Sequence, residues 1–118
     1  MAYMDFMVTP VPKSKIAAYK VLAKKSAKLW KKCGAVAYAE CLADDVKPGK
    51  VTSFPQSVKL KKNETVATCV ITFKSKAHRA QVWKKIMNDP WMKNFDMKKA
   101  PFDAMRMYFG GFKPVSKF

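Results

Sequence analysis

A lone histidine, His78, eight acidic side chains and four glycines leave this 118-residue chain without the groupings on which much enzyme chemistry draws. The acids are scattered and no His-x-x-x-His or paired-cysteine spacing occurs, which excludes the common metal cages. Phosphate cradling is excluded too. Lys47-Pro48-Gly49-Lys50 holds one glycine and follows Asp44 and Asp45 instead of opening a helix, and no G-x-G-x-x-G pattern exists, so no cofactor is implied. Cys33, Cys41 and Cys69 are odd in number and lack C-x-x-C spacing. Cys41 and Cys69 lie in strand-like runs and read as small buried apolar residues in a reducing, cytoplasmic setting. No apolar run approaches the roughly 20 residues of a membrane helix. The opening MAYMDFMVTPVPK has no basic leader and alternates like a strand, so it reads as neither signal peptide nor membrane anchor.

What the chain has in excess is positive charge: 24 Lys and Arg against 8 acids, a formal +16. Such a balance raises nucleic acid as a partner. The lysines, however, are spread through helix faces, loops and tail, with no arginine cluster for bidentate phosphate contacts. A solvated lysine surface accounts for this placement. Binding to nucleic acid through Lys20, Lys24, Lys28 and Lys32 would be weak, sequence-independent and strongly salt-sensitive.

The length suits one domain over residues 1–118. Alternation predicts a strand over Tyr3–Val11, ended by Pro10 and Pro12. Lys13–Cys33 follows as a helix with Ile16, Tyr19, Leu22, Ala23, Ala27, Leu29, Trp30 and Cys33 on one apolar stripe, stopped by Gly34. A second strand is expected over Ala35–Leu42, its small alternate residues allowing a helix to approach. Asp44–Asn63 is a long excursion that can carry an extended arm through Val51 to Leu60. The β-branched run Thr65–Lys74 is the clearest strand. Ser75 can cap a helix from Lys76 to about Met87, with Val82, Trp83, Ile86 and Met87 inward, and Asp89-Pro90 opens a short helical turn through Phe95. Ala104–Phe112 is the last strand, with Gly110-Gly111 as a bulge or close-contact point.

The order is βαββαβ, the split-βαβ, ferredoxin-like α+β arrangement: a four-stranded antiparallel sheet with two helices on one face. RNA-recognition domains share this topology. Their basic-Gly-aromatic-Gly-aromatic motif on the third strand is missing from TVATCVITF, Thr65–Phe73, and Tyr108-Phe109-Gly110-Gly111-Phe112 falls on the fourth strand instead.

Two segments, GKVTSFPQSVKLKKNETV (Gly49–Val66) and PFDAMRMYFGGF (Pro101–Phe112), resemble the small bacterial YbaA-like family, a domain of unknown function. The resemblance extends over nearly the whole chain. It implies a dimeric α+β barrel, in which the sheets of two protomers face each other, and no established catalytic residue.

Strict alternation assigns the face left open by the helices to Tyr3, Met7, Val36, Tyr38, Leu42, Val66, Val70 and Tyr108, with Asp5, Glu40, Thr68, Thr72 and Arg106 among them. So large an apolar face predicts association into a homodimer. Charged groups in that setting must pair or bind something. One reading is an Asp5–Arg106 ion pair that fixes strand register. The other is a barrel pocket in which Asp5, Tyr38, Glu40, Arg106 and Tyr108 hold an unidentified small molecule. Phe54, Val58, Leu60 and Phe102 are the candidate dimer contacts, through an arm that packs on the partner or lies as a lid over a pocket. A small-molecule-binding or sensing protein leads; a cofactor-independent, oxygenase-like enzyme using that pocket and a non-specific nucleic-acid binder are the alternatives.

Overall fold

The computed structural model describes residues 2–118. Four strands, β1 (Tyr3–Pro12), β2 (Ala37–Leu42), β3 (Glu64–Phe73) and β4 (Tyr108–Phe112), form one antiparallel sheet in the order β2-β3-β1-β4. Helices α1 (Ile16–Lys32) and α3 (Lys76–Asn88) make the two crossovers. Two single turns, α2 (Phe54–Ser57) and α4 (Pro90–Lys93), complete the helical content together with short 3-10 turns. The expected α+β, ferredoxin-like order is therefore present.

Local chemistry sets several boundaries where the sequence places them. Gly34, at φ 106°, follows α1, with Gly34 N–H donating to Lys31 and Ala35 N–H to Trp30; this paired closure needs a left-handed residue, which glycine adopts without strain. Ser75 Oγ accepts the His78 N–H at 3.0 Å to open α3, and Asp89 accepts from Trp91 at 3.0 Å to open α4. His78 itself accepts the Lys74 N–H at 3.0 Å through Nδ1, a local structural role.

Other details differ. Strand β1 runs through Pro10 to Pro12 instead of ending there. Beyond Val8, β4 no longer pairs with β1, and the Pro10 carbonyl turns to that open side to accept the Asp103 N–H, so the missing proline N–H deprives no strand partner. The last strand begins at Tyr108, not Ala104. Asp103 accepts the Met105 N–H at 2.9 Å and its carbonyl accepts from Arg106, a side-chain-driven turn that overrides the apolar alternation. Gly110-Gly111 is no bulge, since pairing runs unbroken from Val8↔Tyr108 to Met4↔Phe112. Gly111 is a close-contact point: a Cβ there would lie 2.5 Å from the Tyr3 hydroxyl.

The core lies between the sheet and the helices. Leu29 and Trp30 of α1, Cys33 just after it, and Val82 and Ile86 of α3 pack on Tyr3, Cys69, Ile71 and Phe73. Phe73 and Ile71 are at most 1% exposed, and each large side chain so buried stabilises the fold by about 1.5–3 kcal/mol. On the other face, Val58 and Leu60 fold back against Val8 and Val66 of the same chain. The long excursion is thus a flap on its own sheet, not an extended arm.

Candidate functional site

The register decides which polar groups share a face. Asp5 stands opposite Ile71, Met7 opposite Cys69, Tyr38 opposite Ile71 and Glu40 opposite Cys69. These residues point toward the helices. Val8 pairs with both Thr68 and Tyr108, which places Tyr108, Thr68, Val70 and Thr72 on the open face with Met4, Phe6 and Phe112. The sequence-derived face therefore merged two: Tyr3, Asp5, Met7, Tyr38, Glu40 and Leu42 belong to the helix side. Ala37, Ala39 and Cys41 are exposed on the open side, so the small residues of β2 receive no helix and Cys41 is not buried.

The expected Asp5–Arg106 pair is not formed. Asp5, 1% exposed, accepts from Arg79 Nε at 2.8 and 3.0 Å, from Arg79 Nη2 at 2.8 Å and from Trp83 Nε1 at 2.7 Å. Both donors belong to α3, so the carboxylate fastens that helix to the sheet. Arg79 also lies 5.4 Å from the centre of the Tyr3 ring. Bonding to Asp5 raises the Arg79 pKa further.

Arg106 precedes β4 and lies outside the sheet. Its Nη1 and Nη2 donate to Glu64 at 2.7 and 2.5 Å, its Nε to Asp103 at 2.8 Å, and Nη1 also reaches the Val58 and Lys59 carbonyls at 3.2 and 3.1 Å. These bonds hold Glu64 and Asp103 below the usual carboxylate range and push Arg106 up. Tyr108 donates to Ser57 Oγ at 2.8 Å, tying β4 to the flap. Asp5, Arg106 and Tyr108 are thus engaged within the fold, while Tyr38 and Glu40 come together elsewhere.

They meet in a cavity of about 300 Å³ between the sheet and the helices. Its polar centre is Glu40. Tyr19 Oη of α1 donates to Glu40 Oε2 and Tyr38 Oη of β2 donates to Oε1, so both carboxylate oxygens already accept a neutral donor. Burial first, then the bond to Glu40, raises the Tyr19 phenol well above the ordinary tyrosine range. Tyr38 is raised by burial, by the Cys69 sulfur and by Glu40. Both remain protonated donors. Burial, reinforced by Glu40, also pushes the Cys69 thiol up to about 12, which removes its nucleophilic thiolate at neutral pH.

Aromatic and methionine side chains supply the walls. Trp30, Trp83 and Trp91 all line the cavity, with Trp30 stacked on Tyr38 at 6.3 Å and Trp83 edge-on to Trp30 at 4.8 Å. Met87, read from the sequence as inward, is 56% exposed and lies at the rim. Thr9, 5% exposed, lines the same space, and its Oγ1 is the one buried side-chain polar atom without a hydrogen-bond partner among the described residues. An unpartnered buried hydroxyl costs roughly 1–3 kcal/mol, a cost that a polar ligand group would relieve. Sequence reasoning missed Tyr19, Thr9 and Cys69 as site residues. Tyr19 on the apolar stripe of its helix and Cys69 in its strand-like run both read as ordinary core, and Thr9 carries no signal beyond its place in the first strand.

The candidate dimer contacts divide similarly. Val58, 1% exposed, and half-buried Leu60 are consumed by the flap's own packing, and Phe102 packs near Val11, Tyr19 and Ala67 on the helix side. Phe54 stays exposed. No three His, Cys, Asp or Glu side chains among the described residues gather closely enough to hold a metal ion, and no helix there is long and apolar enough to cross a membrane.

Comparison with known proteins adds a family and a fold. Over 115 residues the chain is 44% identical to "Uncharacterized protein YbaA" of Escherichia coli (strain K12), covering 98% of this chain and 97% of that one, with the same figures for the Shigella flexneri protein. A dimeric ferredoxin-like protein from an uncultured marine organism superposes with a TM-score of 0.64 at 12% identity, covering 99% and 98% of the two chains. At that identity the likeness speaks to the fold alone. Residues 2–104 match the family described as "Protein of unknown function (DUF1428)", and the chain belongs to that family.

Proposed function

We propose that this protein binds a small, mainly apolar molecule in the cavity between sheet and helices, and works as a homodimer formed through the open sheet face. The observation that carries the binding reading is the combination in one cavity of apolar walls, the Glu40 carboxylate and the unpartnered Thr9 hydroxyl. Ligand sites characteristically join a mostly apolar surface to a few fixed polar groups. A cofactor-independent enzyme would use the same constellation with Glu40 as proton acceptor. The protonated Cys69 thiol argues against a covalent cysteine mechanism.

All three tryptophans line the cavity, so occupancy should be read directly by intrinsic fluorescence. A neutral aromatic probe such as 4-phenylbutanol should change the emission saturably. Ser26→Phe, on the α1 wall, should abolish the change while leaving the circular dichroism of the fold intact. A wild-type response that never saturates, or one that the filled variant retains, would rule the cavity reading out.

The dimer reading rests on the open face, where Phe6, Tyr108 and Phe112 are 41, 46 and 57% exposed, Phe6 and Phe112 packing edge-on at 5.3 Å. Neighbouring exposed aromatic side chains on an unpaired sheet face favour association, and the marine structural neighbour is dimeric. Each protomer carries +16, so association should weaken as ionic strength falls and screening is lost. Light scattering at micromolar concentration and moderate salt should give twice 13.4 kDa for the wild type and a monomer for Phe6→Lys with Phe112→Glu. A wild-type monomer under those conditions would defeat this part of the proposal.

A further inference from the structure

The cavity has a charge pattern unlike the rest of the molecule. In a chain with 24 Lys and Arg, no Lys, Arg or His lines it, and Glu40 is its only acid. Every other acid that the fold takes partly out of water has a cationic partner: Asp5 has Arg79, Glu64 and Asp103 share Arg106, and Asp89 lies 3.6 Å from Lys32. Asp44, Asp45 and Asp96 are exposed and solvated. Glu40 alone is drawn from water with no cation within 4.0 Å among the described residues, its oxygens met only by two neutral phenols. Carboxylates removed from water ordinarily acquire a countercharge.

We infer that the missing countercharge comes from the ligand, and that the site selects a protonated amine joined to an apolar, preferably aromatic, body. This inference rests on the cavity reading above. The ammonium would donate to free lone pairs of Glu40 and to the orphaned Thr9 hydroxyl, and the tryptophan and tyrosine faces around it attract cations through their ring quadrupoles. The apolar body would lie against the methionines, whose unbranched side chains adapt to varied shapes. An anionic ligand would face Glu40 with no cation to hold it.

The test is calorimetric titration of the dimeric protein with three molecules of one shape: 4-phenylbutylamine, 4-phenylbutanol and 4-phenylbutanoate. The amine should bind about tenfold or more tightly than the alcohol, the scale of one charge-assisted hydrogen bond, and the carboxylate should bind weakest. That order opposes the bias of a +16 surface, which favours the anion, so non-specific attraction cannot mimic it. Glu40→Gln should bring the amine to the level of the alcohol measured on the same variant; if that variant is poorly folded, Glu40→Met supplies the same comparison with an apolar filling. Equal binding of amine and alcohol by the wild type, or an amine preference that survives loss of the carboxylate, would overturn the charge selection and leave the cavity reading standing. Binding of none of the three would overturn both.

Discussion

Arg79→Met is expected to destabilise the protein by about 3–5 kcal/mol, the scale of removing one partner from a buried ion pair. Asp5 is 1% exposed on β1, and Arg79 gives it three of its four close contacts. Without the guanidinium the carboxylate keeps only the Trp83 N–H. Its desolvation is then uncompensated. For a chain of this size the loss corresponds to a fall of roughly 10–20 °C in melting temperature. Adding Asp5→Leu should recover much of it, because an apolar pair of similar volume no longer carries a stranded charge. Thermal or urea unfolding of the two single variants and the double variant measures the coupling. If the double variant is as unstable as the sum of the singles, the pair is not the unit that holds α3 to the sheet. Arg106→Met, by contrast, should leave α3 unaffected, since Arg106 has no contact with Asp5.

Arg106→Met should act on the other side of the sheet, where it unfastens the flap from the segment before β4. Five hydrogen bonds, to Glu64, Asp103 and the Val58 and Lys59 carbonyls, converge on that guanidinium. Bonds to charged groups contribute roughly 1.5–3 kcal/mol net, and loss of this cluster should cost about that much. The cost should depend on pH. Arg106 depresses the folded-state pKa of Glu64, so its contribution is fully present above the unfolded value near 4.3 and disappears as the pH falls through the lower folded value. Wild type should therefore lose stability more steeply than Arg106→Met below about pH 4.3, and the two curves should converge in acid. Parallel curves from pH 7 to pH 3 would show that Arg106 does not hold Glu64 ionised. Faster amide exchange across the flap in the variant would locate the effect.

By itself the sequence determined the elements and their order. Two central strands with apolar residues on both faces, helices bounded by Ser75 and Gly34, and a turn opened by Asp89-Pro90 are local decisions, made by side chains acting within a few residues of their own backbone. Those decisions suffice for a βαββαβ chain. The facing of the strands was not legible, because β1 is apolar on both sides and a shift of one residue exchanges every side chain between faces. Alternation grouped Asp5 and Glu40 with Tyr108, where the hydrogen-bonded register separates them. The end of the chain misled for a local reason: Met105, Met107 and Phe109 alternate like a strand, yet the Asp103 side chain bends the backbone through Arg106 first.

Only the tertiary structure decided which partner each charge received. Asp5 meets Arg79 across 74 residues and Arg106 meets Glu64 across 42, separations over which no periodicity carries information. The same holds for the site. Tyr38 and Glu40 lie two residues apart on one face of β2 and could be read together, but Tyr19 reaches Glu40 only because α1 packs across β2, and the three tryptophans enclose one space only because α1, α3 and α4 converge over the sheet. A cavity is the volume that packed elements leave between them, and no segment of the sequence encodes it alone.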